Sequence, residues 1–362
     1  MIRYIGLNDT IMPRIAQEQQ KILQILLKYP ALSSSEVLSQ LLKRSEEMAL
    51  VTAKRALSKM AAIGLLDVSG AGPSTVYEIS ALGRIRANVN AKEYCAIEPD
   101  KRYGQDSFNF KLLPALTAEI FSDDEIKILE DATDAYHKRI SDIPGAIQKK
   151  ELERLVIELS WKSSKIEGNT YTLLDTEKLI LEHKEAHGHS KAEAVMILNH
   201  KNAFQFIHEH KDKFKTLSRS NMEELHALLV QGLSVGLGLR KKPVGVLGSK
   251  YQPLDNIHQI TDALEELCRS VSKTKSPCAK ALIALLGISY IQPFEDGNKR
   301  TSRLMANALL MAHTCAPLSY RSVDEVEYRE AMLVFYELNS IIAFKKIFVG
   351  QYNFAAKNYA VA

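Results

Sequence analysis

The sequence predicts a mainly α-helical chain of two units, a small one at the N-terminal end and a larger helical body behind it. Three observations lead there. Apolar residues recur at three- and four-residue spacing along most of the 362 residues. Segments that alternate like strands are few and short. Ser, Asn, Gly and Pro stand where helix caps and breaks belong.

Within residues 1–90, Ile15 to Tyr29 reads as an amphipathic helix, and Ser33-Ser34-Ser35-Glu36 supplies the N-cap of a second, shorter one. Leu50 to Ile63 reads as a third, with Ala53, Ala56, Leu57, Met60 and Ile63 on one face and Gly64 ending it. Leu65 to Val68, the turn SGAGPS and Thr75 to Ile79 then read as strand, turn, strand. Three helices and a β-hairpin are the outline of a winged helix-turn-helix. The outer face of the third helix carries Thr52, Lys54, Arg55, Ser58 and Lys59, types that reach phosphates and base edges in a major groove. Residues 1–90 hold 11 Lys and Arg against 7 Asp and Glu, so the chain's whole formal excess of +4 sits there. That basic bias is modest. Two readings stay open: contact with DNA, or a solvated face on a protein-interaction or dimerisation module.

Residues 91–115, with Pro99, Gly104 and scattered polar side chains, read as a linker. From 116 to 362 helix follows helix, except for an extended segment at Val244 to Tyr251, bracketed by Pro243 and Pro253. A hydrophobic content of 46% with 25% charged residues is that of a globular protein rather than a disordered one. The longest apolar run, Ala281 to Ile291, is too short to span a bilayer, so no membrane partner is expected. The start, MIRYIGLNDT, lacks the charged-then-apolar pattern of a signal peptide. The cysteines Cys95, Cys268, Cys278 and Cys315 are scattered, which argues against a disulfide framework or zinc ribbon and for a cytoplasmic protein. His183, His187 and His189 read as a solvated helix end, not as metal ligands.

The chemistry concentrates in QPFEDGNKRTSR, Gln292 to Arg303. The helix before it, read as Ala279 to Ile291, should end near Gln292, because a residue preceding proline is pushed out of the α region. Gly297-Asn298 forms a turn, and a new helix follows. Its first turns carry Lys299, Arg300 and Arg303, cations that oppose the helix dipole unless an anion sits there. Asp296 beside them suits a Mg²⁺ that bridges phosphate oxygens. Glycine, free amides, arginines and a carboxylate together describe a nucleotide-phosphate site. The competing reading is a polar helix start with surface salt bridges.

This stretch closely resembles the signature loop of the Fic (Fido) family, His-Pro-Phe-x-Asp/Glu-Gly-Asn-x-Arg-x-x-Arg, and every defining position matches except the first. The resemblance implies a protein adenylyltransferase. The family histidine takes the proton of a Ser, Thr or Tyr hydroxyl on a target protein, and that oxygen attacks the α-phosphate of ATP. By position, Phe294 would anchor the loop and Asp296 would hold Mg²⁺. Gly297, Asn298 and Lys299 would line the phosphates, and Arg300 and Arg303 would grip them. A second stretch, SWKSSKIEGNTYTL, contains Ser163-x-x-x-Glu167-Gly168 and resembles the inhibitory motif of self-restrained Fic proteins. There Gly168 reads as a C-cap, and Glu167, disfavoured at a helix C-terminus, calls for a cation partner. The resemblance names Arg303 and leaves open restraint within one chain or across a homodimer. A third stretch, Arg240 to Leu254, resembles the β-hairpin flap that docks a target main chain, with Gly248, Ser249, Lys250 and Tyr251 at its tip.

Gln292 is the departure. An amide has no pKa near neutrality and cannot act as a general base. Three explanations stay open: a nucleotide-binding protein that signals without transfer, use of another base or a more acidic target, or a deliberate substitution. The alternative function is a catalytically silent ATP-binding regulator that acts through DNA or protein binding by the N-terminal unit.

Overall fold

The computed structural model describes residues 15–44 and 49–361. The N-terminal segment inspected for a signal pattern lies outside the described residues. The first unit contains α1 (Gln17–Lys28), α2 (Ser34–Leu42) and α3 (Leu50–Ala62), then β1 (Leu66–Ser69) and β2 (Val76–Ile79). Local chemistry sets these limits. Ser33 accepts from the Glu36 amide while the Glu36 carboxylate reaches back to the Ser33 amide, a capping box. The antiparallel hairpin pairs Leu66 with Ile79 and Ser69 with Val76, and Leu32 bridges to Tyr77 as a further short edge. Ile22, Leu26, Leu57, Met60 and Ile79 form the core between them. Thr52, Lys54, Arg55, Ser58 and Lys59 are exposed, as the spacing predicts.

Next come α4 (Ala81–Arg86), α5 (Ala91–Cys95) and α6 (Leu112–Ala115). The 91–115 stretch, expected as a linker, is packed against the body. Tyr94 and Arg102 are buried, and both bond to Glu337 (2.6 and 3.2 Å). The first unit's core runs on into the body through Val334 and Leu338. Scattered polar residues predict a tether only when their partners cannot be seen. Here the partners lie over 200 residues away in sequence.

The body comprises α7 (Asp123–Asp142), α8 (Gly145–Ile166), α9 (Leu173–Glu182), α10 (Lys191–Glu209), α11 (Arg219–Val230), α12 (Ile257–Lys273), α13 (Pro277–Ile291), α14 (Asn298–Ala312), α15 (Glu325–Leu338) and α16 (Ile342–Asn358). The apolar run excluded as a membrane span is the centre of this body: every residue of 281–291 is buried. Among the described residues no helix is long and apolar enough to cross a membrane. α13 and α14 form an antiparallel hairpin, and the loop joining them is 292–297.

The 240–254 segment differs from expectation, for it contains no strand. Pro243 and Pro253 remove amide donors, and the tip is tied down by side chains instead. Ser249 Oγ donates to Glu337 Oε1 (2.7 Å), Lys250 Nζ to the Arg102 carbonyl (2.8 Å) and Tyr251 OH to the Tyr290 carbonyl (2.8 Å). Leu247, in contrast, is 96% exposed.

Candidate functional site

Gln292 ends α13 in the left-handed region (φ 51°), and its amide N–H still reaches the Ile288 carbonyl (3.0 Å). The helix stops where proline demanded, but by a left-handed cap rather than an extended residue. The Gln292 side chain donates from Nε2 to the Ser289 carbonyl (2.6 Å), and the Gln292 main-chain carbonyl accepts from Arg240 Nε (2.6 Å). The loop beyond is held from four sides. Phe294 is fully buried and stacks on His226 at 3.9 Å between ring centres. Asn298 Oδ1 accepts from the Phe294 amide and Nδ2 donates to the Phe294 carbonyl, both at 2.8 Å. His226 Nε2 bonds to the Asp296 carbonyl (3.0 Å). The Arg240 amide donates to the Pro293 carbonyl (2.9 Å). The Asn298 side chain is therefore committed to the loop backbone and leaves only its amide for a ligand.

Gly297, at φ 78°, is the N-cap of α14 and has no side chain to satisfy the first-turn N–H groups. Above them Arg300 is buried. It donates from Nη2 to Asp296 Oδ2 (3.0 Å), while its Nη1 is buried without a partner. The Asp296 carboxylate is 66% exposed. Free amides at a helix start and an unpartnered buried guanidinium nitrogen suit an anion, and the open carboxylate beside them suits a cation that accompanies it. His200 lies buried nearby with both ring nitrogens unpartnered, and burial together with Arg303 and Arg300 holds its pKa well below the ordinary value. It is neutral.

The second motif arrives from α8. Its end is a Schellman turn: Gly168 (φ 96°) donates to the Lys165 carbonyl (2.9 Å) and Asn169 to the Ser164 carbonyl (3.1 Å). This turn puts Glu167 over α14. Arg303, fully buried, donates to Glu167 Oε1 (2.8 Å), to Ser163 Oγ (2.9 Å) and to the Ser163 carbonyl (2.8 Å). Lys299 Nζ stands 3.6 Å from Glu167 Oε2, and the Arg303 guanidinium lies over the Tyr328 ring at 5.7 Å. Burial pushes the Glu167 pKa up, but Arg303 and Lys299 outweigh it and the net shift is downward. A cavity of about 430 Å³ opens beside Glu167 and Lys299, walled by Tyr328, Met332 and Tyr336 of α15 and by Val246 and Leu247.

The sign of the Glu167 shift makes a prediction. A depressed carboxylate stabilises the fold fully above its unfolded value, near 4.5, and that contribution disappears as pH falls through the lower folded value. Urea midpoints measured between about pH 3 and pH 7 should fall more steeply on the acid side in the wild type than in Glu167→Gln. Parallel curves would mean that the charge on Glu167 contributes nothing.

Sequence reading singled out Gln292, Asp296, Gly297 to Arg300, Arg303, Ser163, Glu167 and Gly168, and the fold brings these together. It missed Arg240, His226, Tyr328 and Arg329. Each contacts the loop, Arg303 or the α8 end from a distant helix or segment, and no local period marks it.

The fold and loop together describe a class. Residues 216–310 match the model of the Fic/DOC family. A C. elegans Fic-1 fragment superposes with a TM-score of 0.57 at 17% identity, covering 68% of this chain and 79% of that one. A Fic domain containing signaling protein from Bacteroides thetaiotaomicron gives 0.54 at 18% identity, covering 64% and 94%. The chain thus has the fold of Fic-domain proteins. Among curated proteins it is similar to the protein adenylyltransferase Fic of Nematostella vectensis, 25% identical over 206 residues, which is 55% of this chain and 48% of the relative. The Drosophila melanogaster protein of the same name is 29% identical over 184 residues, 50% of this chain and 36% of the relative. The chain matches about half or less of the length of these curated relatives.

Proposed function

We propose that the chain is a Fic (Fido) family protein whose 292–303 loop binds the phosphates of ATP, with Mg²⁺, in a site organised for AMP transfer to a protein Ser, Thr or Tyr hydroxyl. Glu167 restrains that site, and Gln292 leaves transfer slow or absent. The observation that carries this reading is the Glu167–Arg303 pair (2.8 Å), in which two motifs far apart in sequence meet at the start of α14.

In this reading the Gly297, Asn298 and Lys299 amides and Arg300 Nη1 take phosphate oxygens. Asp296 would hold Mg²⁺, which would neutralise charge on those oxygens. Arg303 serves the terminal phosphates only when Glu167 lets go. Ser163 fixes the Arg303 side chain in either state, and Gly168 gives Glu167 its approach. Both motifs lie in one chain here, so restraint needs no partner copy. The target backbone would run along the flap. Ser249, Lys250 and Tyr251 are engaged within the chain and the Gly248 carbonyl accepts from Arg102 Nη1 (2.9 Å), which leaves the exposed Leu247 for docking. Transfer forms a bond from the target oxygen to the α-phosphorus and expels pyrophosphate, and the hydroxyl proton needs an acceptor. The Gln292 amide donates to Ser289 and accepts no proton at neutral pH. The test is label transfer from α-labelled ATP by Glu167→Gly, alone and combined with Gln292→His.

A second reading, a catalytically silent ATP-binding regulator that acts through DNA, is favoured by the exposed basic face of α3. It expects salt-dependent duplex binding. Removing Arg55 and Lys59 should weaken binding and reduce the log–log salt slope by about 1.8. An unchanged slope in a fluorescence-anisotropy titration would exclude that face.

A further inference from the structure

The Schellman turn satisfies the Ser164 and Lys165 carbonyls but not the next one, Ile166. That orphan carbonyl takes two donors from a single residue of α15: Arg329 Nε at 3.2 Å and Arg329 Nη2 at 2.7 Å. One turn earlier on α15, Glu325 bonds to Lys162 and stands 3.9 Å from Lys165. α15 therefore grips the last turns of α8 on one face, while Ser163 and Glu167 meet Arg303 on another. The grip is anchored, because α15 also buries Val334 and Leu338 in the core of the N-terminal unit. A cation at a helix C-terminus is favourable in itself, and two guanidinium donors converge here on one carbonyl oxygen.

We propose that Arg329 is a positioning residue for the inhibitory contact: by holding the Ile166 carbonyl it sets the end of α8 so that Glu167 reaches Arg303. The proposal rests on the reading of 292–303 as a nucleotide site restrained by Glu167. Arg329 shares the cavity beside Glu167 and Lys299, with its Nε and Nη2 turned to the Ile166 carbonyl. Without them the Schellman turn frays, Glu167 is released and Arg303 becomes free for phosphate.

The experiment uses the full chain with Arg329→Met, Arg329→Lys, Glu167→Gly and the Glu167→Gly/Arg329→Met double variant. Calorimetry reads ATP–Mg²⁺ affinity, and amide exchange reads Gly168 and Asn169. Arg329→Met should bind ATP about tenfold tighter than wild type, with Arg329→Lys in between, and the double variant should be no tighter than Glu167→Gly. Exchange should rise at Gly168 and Asn169 while α13 keeps its protection, which a general loss of stability would not produce. Weaker ATP binding by Arg329→Met would overturn the proposal, since Arg329 would then contact nucleotide itself. Multiplied effects in the double variant would also overturn it. If Glu167→Gly binds no ATP, the nucleotide reading fails. The exchange data then decide the positioning claim alone, and unchanged protection at Gly168 and Asn169 in Arg329→Met sinks it.

Discussion

Replacing Glu167 by glycine should raise the affinity for ATP–Mg²⁺ by about tenfold to a hundredfold, the range of coupling between linked sites. In the proposed site, Glu167 and the terminal phosphates would compete for one guanidinium. Arg303 has no exposed surface, so it cannot serve both. The same substitution should destabilise the fold. It leaves a buried guanidinium without its counter-charge, a loss on the order of 3–5 kcal/mol when nothing compensates. Ser163 still supplies two acceptors, at 2.9 and 2.8 Å, so the loss should lie at the low end. The paired signature is a lower melting temperature without ligand and a larger upward shift with ATP. Calorimetry and thermal melts on wild type, Glu167→Gln and Glu167→Gly would read both. Equal affinities across the three would remove Glu167 from the role assigned to it.

Restoring a base should have the larger kinetic effect. With Glu167→Gly as background, Gln292→His should increase transfer of α-labelled phosphate by about 10²- to 10⁴-fold, the usual contribution of a general base. The position can accept the change. Gln292 sits at φ 51°, a region where histidine is enriched among non-glycine residues. The bond lost, from the Gln292 amide to the Ser289 carbonyl, is one that a ring N–H can also make. The loop should hold its shape, because Phe294, Asn298, Arg240 and His226 fix it without the Gln292 side chain. Label on both variants at similar rates would show that this chain transfers AMP without a base at 292. Label on neither would count against AMP transfer and leave the α3 face as the better place to seek function.

Much of the site was legible because its two motifs are local. A glycine-asparagine turn opening a helix, with cations in the first turns, reads as a phosphate site within twelve consecutive residues. The α8 end was legible for the same reason, since a C-cap glycine fixes where the preceding glutamate stands. The departures were failures of locality too. The 240–254 segment has the proline brackets of an extended stretch and resembles a flap. Nothing within it tells that Ser249 and Lys250 will be bound by Glu337 and Arg102. The 91–115 stretch looks like a tether because Tyr94 and Arg102 find their partner on α15.

The sequence by itself determined the helical character of the chain, the three helices and hairpin of its first unit, the break at Gln292 and the turn at Gly297. Those features depend on bonds between residues three or four apart and on the periodicity of one face. The resemblance named Arg303 as the partner of Glu167, and the fold brings the two to 2.8 Å across 136 positions of sequence; only the tertiary structure decided that Arg329 closes the orphan carbonyl beside Glu167 and that Arg240 and His226 clamp the loop from outside. A buried charge or carbonyl must find a partner, and local sequence states that need. The path of the chain through space chooses which distant residue meets it.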